Sequence, residues 1–356
     1  MADVLVIGNA RADSHVDLIV RELRSRGARV FLLNPAALPS ASETLLLGGG
    51  REAAGSIETA EGERVDLAAI EAVAYWTMWA GVEVPGMDDE ARMLAEDEWV
   101  AWVTNLAFLT PNARWVNPLV PRLIGVPRLE QLRLAQELGL TIPETLVTNS
   151  PSEARRFVAR HPGGVANKRL TNIMRPIRGF AISYQLLTTR IDLEALDAAD
   201  PASIRFAPTV FQEYVPKDVE VRANVLEDRV LSAEILSQED PQTTIDWRDY
   251  PLVQGPEGLD LDTSRWRARP TRLPPELERK LVELVRRMGL VYSAVDLIRR
   301  PDGEFVFLEA NYGGAFGWLE EMTGLPVLAG YVDLLLGTRS NPPADVGSQG
   351  SPVANR

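Results

Sequence analysis

The stretch Glu304–Glu321, EFVFLEANYGGAFGWLEE, ends an apolar strand in an acid and a carboxamide two residues apart, Glu309 and Asn311. Side chains alternate along a strand, so these two share a face. The longer segment VYSAVDLIRRPDGEFVFLEAN reads as a β-hairpin with Pro-Asp-Gly as its turn signal. A two-residue turn at Asp302-Gly303 sets Pro301 against Glu304 and, counting outward, Asp296 against Glu309. A three-residue loop would shift that pairing by one. Carboxylates directly opposite each other on a sheet repel, and a divalent cation between them removes the penalty. Two carboxylates and an amide oxygen are hard ligands, suited to Mg²⁺ shared with substrate phosphates. The alternative is a solvated sheet face, which the apolar neighbours AVDLI and FVFLEA fit poorly.

Other residues could serve the same chemistry. Lys168, in the mostly apolar VANKRL, can reach a phosphate as a point charge, although most lysines in such settings are surface residues. TNIMRPIRGF carries Arg175 and Arg178 ahead of Gly179, either a basic flap over a polyphosphate or an ordinary exposed loop. Residues 210–215, VFQEYV, end an apolar strand in Gln212, Glu213 and Tyr214. Such an extended linker can present backbone groups to an adenine edge, or simply connect two domains. Glu220 and Arg222 share one face of the next strand, where a buried arginine suits an anionic intermediate or an ion pair. Asp246–Arg248, DWR, adds an aromatic ring and a forked donor at a loop edge.

The elements that must position these residues can be read in order. ADVLVIG, SHVDLIVRELRSRG and ARVFLLNP form a β-α-β unit, which implies a parallel sheet. Its first turn, GNARADSH, lacks the Gly-x-Gly-x-x-Gly pattern of a dinucleotide site. VAYWTMWA is a further strand and DDEARMLAEDEWVAWVTNLAFL a long amphipathic helix. A second unit opens with the helix PRLEQLRLAQELGL, stopped at Gly139, followed by the strand TIPETLVTN, the helix SPSEARRFVARHPGG and the strand VANKRL with ISYQLLTTR beside it. Strands then dominate: PTVFQEYVP, a hairpin over EVRANVLEDRVLSAEILSQ turning at Glu227–Asp228, the helix PPELERKLVELVRRMGL and the Asp296–Glu309 hairpin. The polar tail TRSNPPADVGSQGSPVANR reads as disordered.

Composition narrows the field. The 356 residues predict two or three domains. A net charge of −13 argues against a nucleic-acid partner, which needs a basic face. The absence of cysteine removes disulfides, thiol nucleophiles and cysteine metal sites. With only His15 and His161, far apart, a zinc hydrolase or a Ser-His-Asp triad is poorly supported. There is no signal-peptide pattern and no membrane-spanning apolar run, so a soluble, cytoplasmic protein with no membrane partner is expected.

Taken in order, the lysine strand, FQEYV, Glu-x-Arg, Asp and Glu-x-Asn resemble the ATP-grasp ligases. More closely, WVNP, LEQLRLAQELGLTIPETLVTN, FQEYVPKDVEVR, TTIDWR and FLEANYGG…WLEEMTGLPV resemble the microviridin-type ligases, the graspetide synthetases, over almost everything from Glu90 to Gly337. The resemblance implies an α/β (α+β) chain with the ATP-grasp fold behind an N-terminal β-α-β pre-ATP-grasp domain. The expected divisions are that domain at 1–115, a central subdomain with a candidate leader-binding hairpin at 116–209, a C-terminal subdomain with the metal site at 210–337, and the tail at 338–356.

The resemblance also implies roles. Asp296, Glu309 and Asn311 would hold two Mg²⁺ ions, and Lys168 would contact the ATP phosphates. Gln212, Glu213, Tyr214 and Val215 would line the adenine pocket, with Glu220 nearby. Arg222 would face the transferred phosphate, and Arg248 the acceptor peptide. The strand ISYQLLTTR would dock a leader. The implied reaction is ATP-dependent cross-linking of Asp or Glu carboxyls to Ser or Thr hydroxyls or Lys amines in a ribosomal precursor peptide, by a homodimer. A ligase joining an amino acid or small amine to a carboxylate, and a non-catalytic ATP- or peptide-binding homologue, are the competing expectations. Three departures stand out: Arg128, counted with Lys168 among the ATP-binding residues but standing where the family has lysine, RLTNIMRPIRG after Lys168, and YGGAFG after Asn311, expected to be a more flexible loop at the acceptor side.

Overall fold

The computed structural model describes residues 1–9, 13–34, 42–47, 54–76, 86–118, 126–170, 188–249, 252–255, 258–261 and 265–338. Arg175, Arg178, most of ISYQLLTTR and all but the first residue of the tail lie outside them.

The N-terminal sheet is parallel, in the order Arg29–Leu33, Asp3–Ile7, Ala72–Tyr75, Arg114–Val116. The helix Ser14–Ser25 crosses between the first two strands, as the spacing of Val16, Ile19, Val20 and Leu23 requires, and those residues are buried. Asp13 caps it by accepting the amide of His15. The helix Asp89–Leu109 sends Val103 and Leu106 into a core with Leu5, Ile7 and Phe31. A small antiparallel sheet, Ser42–Leu46, Ala54–Glu58 and Arg64–Asp66, went unread in the sequence because its strands are short. Among the described residues no helix is long and apolar enough to cross a membrane.

A second sheet, antiparallel throughout, runs Thr189–Ile191, Val165–Lys168, Thr209–Glu213, Thr145–Thr148. The helix Pro151–Arg160 backs it through Ala154, Phe157 and Val158, which pack on Val165 and Phe211.

The third sheet has five antiparallel strands, Ala268–Thr271, Arg229–Ile235, Val219–Leu226, Tyr292–Arg299 and Phe305–Asn311. Its faces divide by alternation. Val221, Ala223 and Val225 join a core with Leu277, Leu281 and Leu284 of the helix Pro275–Arg287 and with Leu132 and Ala135 of the helix Arg128–Glu137. Glu220, Arg222 and Asn224 are therefore left for the opposite face. The first hairpin turns at Glu227–Asp228 as read, with Leu226 paired to Arg229 and Glu227 at φ 57°.

The second hairpin corrects the expected turn. Arg300, not Pro301, faces Glu304, so the loop is the three residues Pro301–Gly303, with Gly303 at φ +92°. Leu297 accordingly pairs with Phe307. A β-bulge at Leu308 then absorbs one residue, and Asp296 pairs with Glu309 after all. The expected pairing is present, reached through a longer loop and a compensating bulge.

Candidate active site

The bulged hairpin sets Asp296 opposite Glu309, and Arg222 lies opposite Asp296 on the other side. The Arg222 guanidinium is 3.0 Å from the Asp296 carboxylate. Asn311 donates from Nδ2 to Asp296 Oδ2 at 3.0 Å and to Glu309 Oε1 at 3.3 Å. All three of the expected metal ligands thus converge. Arg128, buried at the start of its helix, pairs with Glu309 at 2.8 Å. One turn on, Gln131 accepts the amide of Ala310 between Glu309 and Asn311 and donates to the carbonyl of Val126. The helix thus holds the ligand strand by a side chain and by its backbone.

The second sheet contributes Lys168, whose Nζ donates to Gln212 Oε1 at 3.0 Å, while Gln212 Nε2 donates to Thr145 Oγ1. Burial pushes the Lys168 ammonium down to about 8, against the opposing pull of Glu309. Burial also raises Asp296, and Arg222 only partly offsets it. Burial pushes Glu309 up too, but Arg128, Lys168 and Arg248 together outweigh it and hold the carboxylate below its usual range. One oxygen of the pair is thus the readier to take a proton, as two neighbouring carboxylates require.

Arg248 forks onto Asp246 at 2.9 and 2.7 Å, and Asp246 also accepts the amide of Thr188. Burial raises Asp246, yet Arg248 brings it down to about 2. The charges of Asp296 and Glu309 are felt at Arg248 as well. Between Arg248 and Asp246 stands Trp247, with the Arg222 guanidinium 5.6 Å from its ring centre.

The remaining expected residues are placed differently. Glu220 accepts from Lys217 Nζ at 2.8 Å and from Ser237 Oγ at 2.9 Å. Glu213 turns its carboxylate to Arg300, away from Lys168 and Gln212, because alternation puts adjacent side chains on opposite faces. Tyr214 donates to the carbonyl of Thr244 and lies under Arg190. Val215 packs on Ile298 and Val306. Lys217 is a cation that sequence reading passed over. Its side chain is buried, its Nζ also donates to the carbonyl of Ile245, and its charge reaches Lys168. Only its position three residues before Glu220 in KDVEVR hinted at it.

The loop after Asn311 also differs from expectation. Tyr312 gives its carbonyl to Asn117 Nδ2, Gly314 gives its carbonyl to the Tyr292 hydroxyl, and the amides of Phe316 and Gly317 donate to His15 Nε2. A loop expected to be flexible is tied at each end and in the middle.

Among the described residues no three His, Asp or Glu side chains gather as a metal cage. The set is two carboxylates and an amide, whose N and O exchange on rotation about its last bond, so each of the three side chains can offer at least one oxygen. An Mg²⁺ site of that kind is completed by substrate phosphates. The buried Nε of Arg222 has no hydrogen-bond partner among the described residues, a donor left for an anion. The donor set fits Mg²⁺ and a polyphosphate. The like-charge penalty between Asp296 and Glu309 is offset by Arg222 and Arg128 too, so it does not by itself require a metal.

No family model matches the chain and no curated protein matches it. Solved structures do. A RiPP-associated ATP-grasp ligase of Chryseobacterium gregarium, in complex with ADP and a leader and core peptide, is 25% identical, with 95% of this chain and 97% of that chain covered and a TM-score of 0.78. The macrocyclase MdnC of Microcystis aeruginosa, bound with precursor peptide MdnA, is 26% identical over 94% and 100%, with a TM-score of 0.77. The macrocyclase MdnB of the same organism is 27% identical over 94% and 99%, with a TM-score of 0.72. The fold and the charged cluster together define an ATP-grasp ligase, an ATP-dependent, ADP-forming enzyme. Its whole-length neighbours are a RiPP-associated ATP-grasp ligase and two macrocyclases, which the chain resembles.

Proposed function

We propose that this enzyme joins side chains of a ribosomally made precursor peptide, linking an Asp or Glu carboxyl to a Ser or Thr hydroxyl or a Lys amine. The observation that carries this reading is the convergence of Asp296, Glu309 and Asn311 with Arg222, Arg128, Lys168 and Arg248, in a fold whose whole-length neighbours bind ADP and leader, core or precursor peptides.

A peptide carboxylate oxygen attacks the γ-phosphorus of ATP, and the bond to the β-bridging oxygen breaks, giving an acyl-phosphate and ADP. A hydroxyl or amine then attacks the acyl carbon, loses its proton and expels phosphate. The net change is the loss of one water per cross-link. This chain's own residues neutralise and orient. Lys168 meets the phosphates as a point charge, Arg222 turns its free Nε toward the transferring group, and Arg248 stands toward the acceptor. Asp296, Glu309 and Asn311 would hold magnesium, two ions in our reading, which supplies charge neutralisation on the phosphates. Gln212 to Val215 border the adenine, Glu213 and Tyr214 through their main chain. Domain divisions at 116 and 210, a cytoplasmic homodimer and a leader docked along the Thr189–Ile191 edge complete the reading.

Incubation with ATP, Mg²⁺ and the Ser/Thr- and Asp/Glu-rich peptide encoded beside its gene should lower the peptide mass by one water per ring, with ADP released. ADP release with small amines and no change in any peptide would replace this reading with a small-molecule ligase.

A further inference from the structure

We propose that His15, in the N-terminal β-α-β unit, is a positioning residue for the ligase reaction, fixing the Tyr312–Gly317 loop and through it the aromatic wall beside Arg222 and Arg248. This rests on the cross-linking reading above.

His15 Nε2 accepts two backbone amides, Phe316 at 3.1 Å and Gly317 at 2.9 Å. An imidazole nitrogen that accepts carries no proton, so the ring proton sits on Nδ1, which lies 2.8 Å from Asp13 Oδ1. Asp13 is fixed in turn by the indole N–H of Trp76 at 3.0 Å and by the His15 amide. The ring stacks on Trp76 and meets Phe316 edge-on. This relay, buried at His15 and half-buried at Asp13, reads as a device for holding one nitrogen in acceptor form where the loop's two amides converge.

The loop needs such a hold. It contains Gly313, Gly314 and Ala315, with little side chain of its own to anchor it, and glycine loses the most backbone freedom on ordering. The next residue after the His15 contact is Trp318. Its ring lies 4.8 Å from that of Trp247, with Trp266 packed against both at 5.0 and 5.1 Å. Trp247 is the ring over which Arg222 sits, and it precedes Arg248. A displacement of Phe316 and Gly317 therefore moves the wall that the acceptor side of the site presents, while Lys168 and Gln212, on another sheet, keep their places.

The test compares wild type with His15→Leu and His15→Gln, the latter placing an amide oxygen near the Nε2 position. Should His15→Leu not fold, His15→Asn, too short to reach, takes its place. Amide hydrogen exchange over Phe316–Trp318 should rise about tenfold or more in the Leu variant, and peptide kcat/KM should fall by about 10- to 100-fold, the range for residues that orient a site's own groups. Affinity for ATP should stay within about twofold, and Gln should restore both losses. Unchanged exchange in the Leu variant, no rescue by Gln, or ATP affinity falling in step with peptide turnover would overturn the proposal. A wild-type enzyme that binds ATP yet dehydrates no peptide would sink the cross-linking reading, and the exchange data would then decide the role of His15 by themselves.

Discussion

Arg222 and Asp296 are cross-strand partners in the five-stranded sheet, and their charges meet at 3.0 Å on the face opposite the apolar core. Arg128 stands to Glu309 in the same way at 2.8 Å, but reaches it from a helix. Each carboxylate of the pair thus has its own arginine, and the amide of Asn311 bridges the two.

Replacing either carboxylate should stop chemistry more than binding. Asp296→Asn and Glu309→Gln should each lower turnover by about 10³-fold, the upper range for removing one preorganised electrostatic group. Steady-state kinetics with ATP and the precursor peptide would show it, alongside Mg²⁺-dependent ATP binding by calorimetry. Turnover within tenfold of wild type in both variants would take these residues out of the site.

The depressed Lys168 sets a pH dependence. Below about pH 8 its ammonium is charged and can meet a phosphate; above that it is neutral. Because kcat/KM reports the free enzyme, kcat/KM for ATP should fall as pH rises through about 8, and Lys168→Met should abolish that limb. Stability runs the other way. The folded pKa lies below the unfolded value of 10.5, so between about pH 8 and 10.5 the unfolded chain binds more protons and stability rises with pH. Urea midpoints at pH 7.5 and 9.5 would check the sign, with Lys168→Met flattening the rise.

Arg128 should matter to stability as well as to activity. Arg128→Leu leaves Glu309 without its nearest cation, and breaking a buried pair from one side costs about 3–5 kcal/mol. The acid limb of the activity profile should also move to higher pH, because Arg128 helps hold the Glu309 pKa down. Arg128→Lys keeps charge but not the fork, and should recover part of each loss. Thermal denaturation and a pH profile of the three forms would measure both.

Gly314 is the tightest point of the clamped loop. A Cβ there would come within 2.3 Å of the Ala294 Cβ, and its carbonyl accepts the Tyr292 hydroxyl at 2.6 Å. Gly314→Ala should destabilise the fold by about 1–3 kcal/mol, as overpacking does, and raise KM for the peptide more than KM for ATP. Equal melting temperatures would show that the neighbouring strand yields freely.

The ligand triad was legible in the sequence because strand alternation and a turn signal are local. Asp296, Glu309 and Asn311 fall on one face by counting alone. The turn itself was not legible, since Pro-Asp-Gly serves a two- or a three-residue loop and the bulge at Leu308 has no local signature. Arg128 pairing with Glu309, and Lys217 beside Lys168, depend on how a helix and a linker pack against distant strands. The anchoring of YGGAFG was missed for the same reason. Its glycines signal freedom, but His15, Asn117 and Tyr292 remove that freedom from positions remote in sequence.

The most direct measurement is the intact mass of the precursor peptide after incubation with enzyme, ATP and Mg²⁺, run beside Glu309→Gln. The account predicts one water lost per cross-link, matched by ADP, with the variant leaving the mass unchanged. An unaltered peptide with wild-type enzyme, or equal dehydration by Glu309→Gln, would contradict it.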